Sequence, residues 1–430
     1  MNRLLPKSGL RRSFSILAGG TVIAQAIAFA VSPILTRIYG VADFGYLQIF
    51  NSIIMVLLVV VAGRYELAIP LPEDDESASN LLAFALLFVA AVSVGTAGLA
   101  FIALHVPSIS AKFGQLAKWL WLIPLSLAGA GFYQVLSYWS LRKKQYGLIA
   151  KTRVLQVTSR FVLQLAGGLL HFGLPGLLVG DTVARANGTG SFVRGFRREY
   201  WHLTRRIKWS RMCAVAREYR HFPLVFSASG LLNTAALAFP GLLLAAFFGP
   251  TVTGWFALVD RVLGIPSTLI GQSLQQVYVS EGAPLLHSNP IGLKHLFEKM
   301  IRKIYFIPLL TCTILAFFGP ALFVFVFGEK WREAGEYARI MGFVDIAGLM
   351  VSPIEMTLTM LQLQKWRFSW DAGRLVMVTG AMLITYSVHP TARAVVIAYA
   401  ASMTLGYFLL LGMCYMAIQR LIAQQVKPGV

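Results

Sequence analysis

Long apolar windows follow one another along this chain with only short charged or Pro/Gly-marked breaks between them, and that spacing constrains the fold more than any single motif. Twelve windows can be delimited: 14–36, 44–63, 80–104, 117–140, 153–171, 173–193, 222–247, 252–279, 303–327, 337–363, 372–388 and 393–418. Most are close to the ~20 apolar residues a helix needs to cross a hydrocarbon core of ~30 Å. Inside lipid every backbone N–H and C=O must be satisfied within its own segment, so the windows predict α-helices. Spans and short connections use up nearly all of the 430 residues. Charged residues make up 13% of the chain, about half the ~25% of a soluble domain. The expected fold class is an all-α integral membrane protein with about 12 transmembrane helices, and a catalytic domain outside the membrane is nearly excluded.

Arg3, Lys7, Arg11 and Arg12, the apolar run after them and Ala28-Phe29-Ala30 imitate a secretory signal and its cleavage site. The run from Phe14 to Thr36 is longer than the 7–15 residues of a signal h-region and further apolar windows follow it, so it reads as a retained first helix. Windows five and six are separated only by His171 and Phe172, and the sixth carries Asp181, Arg185 and Asn187. A broken hairpin is the alternative reading of that pair.

The formal net charge is +20, which in a soluble chain would point to nucleic acid. Here the basic residues lie between apolar windows. With the N-terminus inside, cytoplasmic segments hold Arg142, Lys143, Lys144, Lys151 and Arg153, the cluster from Arg194 to Arg220, and Lys294, Lys299, Arg302 and Lys303. The opposite loops hold Arg37, Lys112, Lys118, Lys330, Arg332 and Arg393. This asymmetry is topogenic and predicts cytoplasmic N- and C-termini, with no nucleic-acid partner. The central stretch, about 195–221, mixes arginines with Phe196, Trp201, Leu203 and Trp209. It suits an interfacial amphipathic segment near anionic lipids, or equally a solvated linker.

A weak internal repeat divides the chain. Ile34–Tyr46 can be laid on Leu243–Trp255 at an offset of 209 residues, superposing Leu35 on Leu244, Tyr39 on Phe248, Gly40 on Gly249, Gly45 on Gly254 and Tyr46 on Trp255. The match falls between the first and second helix of each half. An offset of six helices is even, so both copies enter the membrane in the same direction, as parallel repeats do. The expected organisation is an N-terminal six-helix bundle over 1–193, a basic cytoplasmic linker over 194–221 and a C-terminal six-helix bundle over 222–430. Transporters with such repeats bind substrate near the midplane and alternate access.

Charged residues within apolar windows cost roughly 2.5–3.5 kcal/mol each at a helix centre, so each is a functional candidate. Gln156, Arg160 and Gln164 recur every four residues on the fifth helix, a polar face expected to point into a cavity. Asp260 and Arg261 on the eighth helix are followed by Gly264, Ser267 and Gly271, with Pro266 as a kink point. Their repeat counterparts are Asn51 and Ser52. Asp345, Ser352, Glu355 and Thr359 share a face of the tenth helix, and Asp181 and Arg185 stand at i, i+4 on the sixth. Arg37, Arg64 and Glu66 sit at helix ends, where snorkelling is the structural alternative to a ligand role. Arginines suit an anionic ligand because guanidinium stays charged when desolvated and holds phosphate bidentately. The acids Asp181, Asp260, Asp345 and Glu355 are candidates for a coupling H+ or Na+. Ion pairs that merely lock helices together are the alternative for all of them.

Soluble-type chemistry is missing from the sequence. The histidines lack HExxH spacing, and there is no P-loop, GxSxG or Rossmann context. Cys213, Cys312 and Cys414 stand far apart without metal-ligand spacing. No catalytic residue, metal or cofactor is expected, and the chain is not expected to be an enzyme.

Two runs carry a family resemblance: Leu35–Tyr46 followed by Arg64-Tyr-Glu-Leu-Ala-Ile-Pro-Leu-Pro-Glu-Asp-Asp75, and Phe247-Phe-Gly-Pro250 followed by Asp260–Gln272. They resemble the polysaccharide (O-antigen and exopolysaccharide) flippases of the multidrug/oligosaccharidyl-lipid/polysaccharide superfamily. The resemblance implies a MATE-like, V-shaped pair of six-helix bundles in the bacterial inner membrane. It also implies a cargo of undecaprenyl-pyrophosphate-linked oligosaccharide, ion antiport, and work alongside a polysaccharide polymerase and glycosyltransferases. Arg37, Arg64, Glu66, Asp260 and Arg261 are the positions that match the motif. A multidrug or cation antiporter of the same superfamily is the alternative. Lipid II flippases usually have two further helices, for which this chain lacks room. A membrane glycosyltransferase would need a large extramembrane loop with acidic residues, whereas the longest loop here is basic.

Overall fold

The order of helices repeats the order of apolar windows, with two shifts of boundary and one break: the tenth window, 337–363, is not one helix, because its helix stops at Val351 and turns carry the chain through Ser352 and Glu355, so Asp345, Ser352, Glu355 and Thr359 do not share one helix face. The computed structural model describes residues 7–426. Its α-helices are α1 (Lys7–Ile38), α2 (Val41–Val60), α3 (Asp75–His105), the short α4 (Pro107–Phe113), α5 (Leu122–Arg142), α6 (Tyr146–Leu169), α7 (Leu174–Ala186), α8 (Thr189–Thr204), α9 (Trp209–Glu218), α10 (Ser227–Ser288), α11 (Pro290–Ile304), α12 (Phe306–Phe327), α13 (Arg332–Val351), the single turn α14 (Thr357–Met360), α15 (Gln364–Val388) and α16 (Ala392–Val426). Among the described residues there is no strand, as expected for a chain whose connections are too short and too apolar to support a soluble sheet.

Among these residues six helical stretches are long and apolar enough to cross a membrane by themselves, and a seventh if the bent pair Ser110–Trp119 and Leu122–Arg142 forms one span. Helix α7 falls short by length, and α6, α13 and α15 carry charge; on α6, α7 and α15 the buried carboxylates Asp181 and Asp371 are paired with arginines. Many apolar side chains point outward, among them Val94, Leu99, Phe306, Phe317, Phe325 and Val376. An outward apolar face of this extent has lipid as its natural solvent.

The first shift concerns the sixth window. It ends at Ala186, not at 193, because Gly188 adopts φ 90° and turns the chain into α8. At 13 residues α7 is about 20 Å long, short of a full hydrocarbon core, and packs in close contact on α6. A Cβ on Gly167 would lie 2.7 Å from Gly176 Cα, so the two backbones touch at this pair of glycines. The second shift is at α15, which begins at Gln364 instead of the expected 372. Three further charged residues are thereby drawn into a helix.

The chain divides into two units between Thr234 and Ala235, inside α10. In the first unit the stretch expected as a linker is folded: α8 and α9 pack against α5 and α3. Asn80 fixes the turn between them, donating to Arg206 O at 3.4 Å and accepting from Lys208 N at 3.1 Å. The acidic run before α3 pins this assembly. Asp74 caps α3 by accepting from Ser77 N at 2.6 Å, which holds its carboxyl below the usual carboxylate range. Asp75 pairs with Arg142 and Lys143, and Glu76 with Arg206 and Arg211.

The repeat is visible in the backbone. Gly40 is the extended N-cap of α2, and its counterpart Gly249, at φ 81° and ψ −175°, breaks α10 into two. The paired aromatics do equivalent work. Tyr46 accepts from Gln115 N at 3.3 Å, and Trp255 donates to Lys330 O at 3.1 Å. In each unit the aromatic ties the helix after the glycine to the connection between the next two long spans, α3 to α5 in one and α12 to α13 in the other.

The Gly167–Gly176 contact yields a stability prediction. Gly167→Val should lower the thermal midpoint of the purified protein, by about 1–3 kcal/mol of stability, because side-chain volume must separate two touching helices. Gly147→Ala, on the same helix where a Cβ meets nothing within 4 Å, should not lower it. Equal behaviour of the two variants would contradict this packing.

Candidate functional site

The first unit concentrates its intramembrane charge on α6 and α7. Asp181 is 1% exposed and lies between two arginines. Arg160 Nε is 3.0 Å from Asp181 Oδ1, and Arg185 Nε donates to Asp181 Oδ2 at 2.6 Å. Arg185 also donates from Nη2 to Asn51 Oδ1 at 2.7 Å, bringing α2 into the cluster. Two guanidiniums and one carboxylate leave one positive charge in excess. It resides on Arg160, whose side chain keeps 32% of its surface open while Arg185 keeps 17%. An Arg with one edge held and the other open can still accept a phosphate oxygen.

The polar stripe of α6 points at α7 and not into an open cavity. Gln156 donates to Arg185 O at 3.0 Å and Gln164 donates to Leu177 O at 3.0 Å, with Gln164 fully buried. Both satisfy main-chain acceptors of a short helix that passes Gly167 at backbone contact, so the close approach of α7 claims that face. Tyr39, the last aromatic before the repeat glycine, donates to Gln164 O and extends the same seam to the end of α1.

A second charged group lies after α2. Gly63 and Arg64 both have positive φ, 58° and 59°, a conformation costly for a non-glycine residue and found where surrounding structure imposes it. The Arg64 guanidinium lies 3.8 Å from Glu66 and packs against Gly230, where a Cβ would meet it at 2.1 Å. Glu66 is 1% exposed and accepts from Gln134 Nε2 at 3.0 Å. Its other oxygen, Oε2, has no hydrogen-bond partner among the described residues. Arg37 is exposed on the last turn of α1.

In the second unit Asp260, Asp345, Ser352, Tyr399 and Tyr407 line a cavity of about 300 Å³ together with Gly264 and Ser267. Asp345 accepts a short hydrogen bond from Ser267, which fixes α13 against α10. Asp260 opens onto the cavity beside Arg261 of the same helix. Gly264 leaves its wall open, since a Cβ there would meet nothing within 4 Å, whereas Gly271 gives the close approach to Ser352. The sequence stripe on α10 is therefore both close-packed and cavity-lining, at different glycines. Two carboxylates with hydroxyls and no facing lysine suit a proton or small cation.

Glu355, in the turn that follows α13, belongs to a separate ladder. Gln275 Nε2 reaches both Ser352 O and Glu355 Oε1 at 3.2 Å. Arg367 bridges Glu355 at 3.4 Å and Asp371 at 3.5 Å, and Arg374 meets Asp371 at 3.5 Å. The Trp370 ring stacks under both arginines and donates to Gly406 O at 2.9 Å. Sequence reasoning missed Arg367, Asp371 and Arg374, because starting the window at 372 placed the first two in a loop. Their i, i+4, i+7 spacing was the available signal. The ladder is charge-balanced, which suits it to holding α15 in place more than to binding an anion.

The geometry separates two roles within the first cluster. Asp181→Asn should destabilise the purified protein by about 3 kcal/mol, because it strands two guanidiniums around a buried site. Arg160→Ala leaves the Asp181–Arg185 pair intact and should cost under about 1 kcal/mol. A comparison of thermal midpoints that finds Arg160→Ala the more damaging change would contradict this assignment.

The sequence matches the model of the family described as "Polysaccharide biosynthesis protein" over residues 34–336. Among curated proteins no sequence matches. Among solved structures, the chain is similar to a lipid II flippase, MurJ, in an inward closed conformation, with a TM-score of 0.71, 10% identity and 96% and 93% of the two chains covered. It is also similar to an inward-facing multidrug resistance transporter of the MATE family of the MOP superfamily, with a TM-score of 0.66, 17% identity and 95% of each chain covered. A MATE structure in complex with MaD3S gives 0.59 at 17% identity over 96% of each chain. At these identities the likeness concerns the fold. The expected all-helical, MATE-like architecture is thus found, in a multi-pass membrane protein. The family model covers both charged sites of the first unit and Asp260 of the second unit's cavity but not Asp345, and on that match the chain belongs to the polysaccharide biosynthesis protein family.

Proposed function

We propose that this protein is a flippase that moves an undecaprenyl-pyrophosphate-linked oligosaccharide, an O-antigen or exopolysaccharide repeat unit, across the bacterial inner membrane by alternating access. The observation that carries the reading is the excess guanidinium of Arg160 beside Asp181 in a protein of a polysaccharide biosynthesis family. A diphosphate brings concentrated negative charge into the bilayer, and a half-open arginine is the side chain best able to receive it. Arg64 and Arg37 extend the positive charge of the same unit, with Glu66 setting the position of Arg64. Membrane lipids are the other partners, and a polymerase and glycosyltransferases supply and consume the glycan.

Coupling to H+ or Na+ is assigned to the acids of the second unit. Asp260 and Asp345 share a cavity large enough for an ion and its waters, and Glu355 and Asp181 are held in ion pairs that leave them less free to exchange one. The same acidic cavity favours a second reading, a cation or multidrug antiporter, in which Asp260 and Asp345 would bind the cargo itself.

Cells depleted of the protein should accumulate the lipid-linked oligosaccharide on the cytoplasmic leaflet, and restoration should relieve the accumulation; mass analysis would then give the glycan. Normal glycan levels together with new sensitivity to cationic dyes would favour the antiporter. Within the flippase reading, Arg160→Ala and Asp260→Ala should each abolish complementation while inserting at wild-type levels, and Arg160→Lys should restore part of it. Wild-type flux in both alanine variants would overturn the site assignment.

A further inference from the structure

The arginine-rich segment between the spans has an orientation that its sequence does not show, and that orientation leaves a face without a partner. Helix α8 turns its aromatic side inward. Phe196 and Tyr200 pack edge-on against Trp139 of α5 at centroid distances of 5.2 and 5.6 Å, Phe192 meets Tyr133 at 5.3 Å, and Leu203 is buried. The apolar face expected to dip into the membrane is therefore already used. On the opposite side lie Arg194, Arg197, Arg198, Trp201 and Arg205, all exposed, and at helical spacing they form one stripe.

This stripe is unlike the other basic residues of the segment. Arg206 and Arg211 are both spent on Glu76. Among the described residues no carboxylate pairs with Arg194, Arg197, Arg198 or Arg205. Arg197 instead stacks on Trp201 at 5.3 Å, and Trp201 is 53% exposed. Trp209, at the start of α9, is 67% exposed. Exposed tryptophans among arginines are costly in water and favoured at the headgroup level of a bilayer.

The helix also lies at the right depth. Tyr200 sits 4.5 Å beneath Lys143, which pairs with Asp75, the first residue of the apolar helix α3. With Phe192 beside Tyr133 and Tyr200 beside Trp139, α8 and its stripe rise along α5 toward its end at Arg142, where hydrocarbon gives way to headgroups. We infer that the Arg194–Arg205 face of α8 is a docking surface for the phosphate headgroups of anionic phospholipids. The leaflet is the one that the charge asymmetry of the loops assigns to the cytoplasm. This surface is independent of the cargo proposed above and requires only that the protein spans a bilayer.

The test uses the full-length protein in nanodiscs of phosphatidylcholine and phosphatidylglycerol, with bromine placed on the acyl chains of one lipid or the other. Quenching assigned to Trp201 is the difference between wild type and Trp201→Phe. Stronger quenching by brominated phosphatidylglycerol than by brominated phosphatidylcholine is expected, weakening as salt rises. Preference should fall about fivefold for each arginine changed to Gln, and a four-site Arg→Lys variant should retain most of it and control for insertion. Equal quenching by the two lipids, absence of Trp201 quenching, or a preference untouched by salt and by Arg→Gln would overturn the inference. So would its abolition by inorganic pyrophosphate at concentrations whose ionic strength alone has no effect, since the face would then belong to a soluble diphosphate and not to the leaflet.

Discussion

A carboxylate buried among apolar helices needs a counter-charge within reach, and in this protein the arrangement around Asp181 follows from that need. Arg185 donates to one oxygen from its own helix, and the Arg160 guanidinium of α6 forms an ion pair with the other. Because the short α7 carries both Asp181 and the glycine that lets it touch α6, charge pairing and backbone contact enforce each other. Asn51 is drawn in by the second edge of Arg185, so α2, α6 and α7 are tied at one level. One positive charge remains in excess there, and of the two arginines Arg160 keeps the more open side chain.

The two units use related positions for opposite electrostatics. On the second helix of the first unit stands Asn51, a neutral acceptor for Arg185; its repeat counterpart is Asp260, which faces a cavity lined by Tyr399 and Asp345. The halves correspond in the glycine breaks at Gly40 and Gly249 and in the aromatic ties of Tyr46 and Trp255. Divergence shows in the sign of the charge. A transporter that receives an anion in one unit and exchanges a cation in the other would need this asymmetry.

Much of the fold was legible in the sequence, because hydrophobic windows and backbone hydrogen-bonding leave an intramembrane chain few choices. What the windows could not resolve were places where charge is buried in pairs. Window six ran past Gly188 because apolar content continued after the helix stopped, and the start of α15 was lost because Arg367, Asp371 and Arg374 look like loop residues until they are seen to neutralise one another and Glu355. The site was legible by residue type and less so by direction. The α6 stripe was evident from its period of four, yet period alone cannot tell a cavity from a neighbouring helix, and it was the glycine pair that brought α7 onto Gln156 and Gln164. The central basic segment had a readable amphipathic pattern, but which face would be covered depended on Trp139 and its neighbours on α5.

The cargo proposed for this protein is a lipid-linked oligosaccharide. The most direct test is reconstitution of the purified protein into liposomes carrying an undecaprenyl-pyrophosphate oligosaccharide in both leaflets, with a lectin or glycosidase added outside to report the accessible pool. Wild-type protein should expose the inner pool over time, faster under an imposed ion gradient, and Arg160→Ala protein should not. Exposure no faster than in protein-free liposomes, under gradients of either H+ or Na+, would contradict the claim.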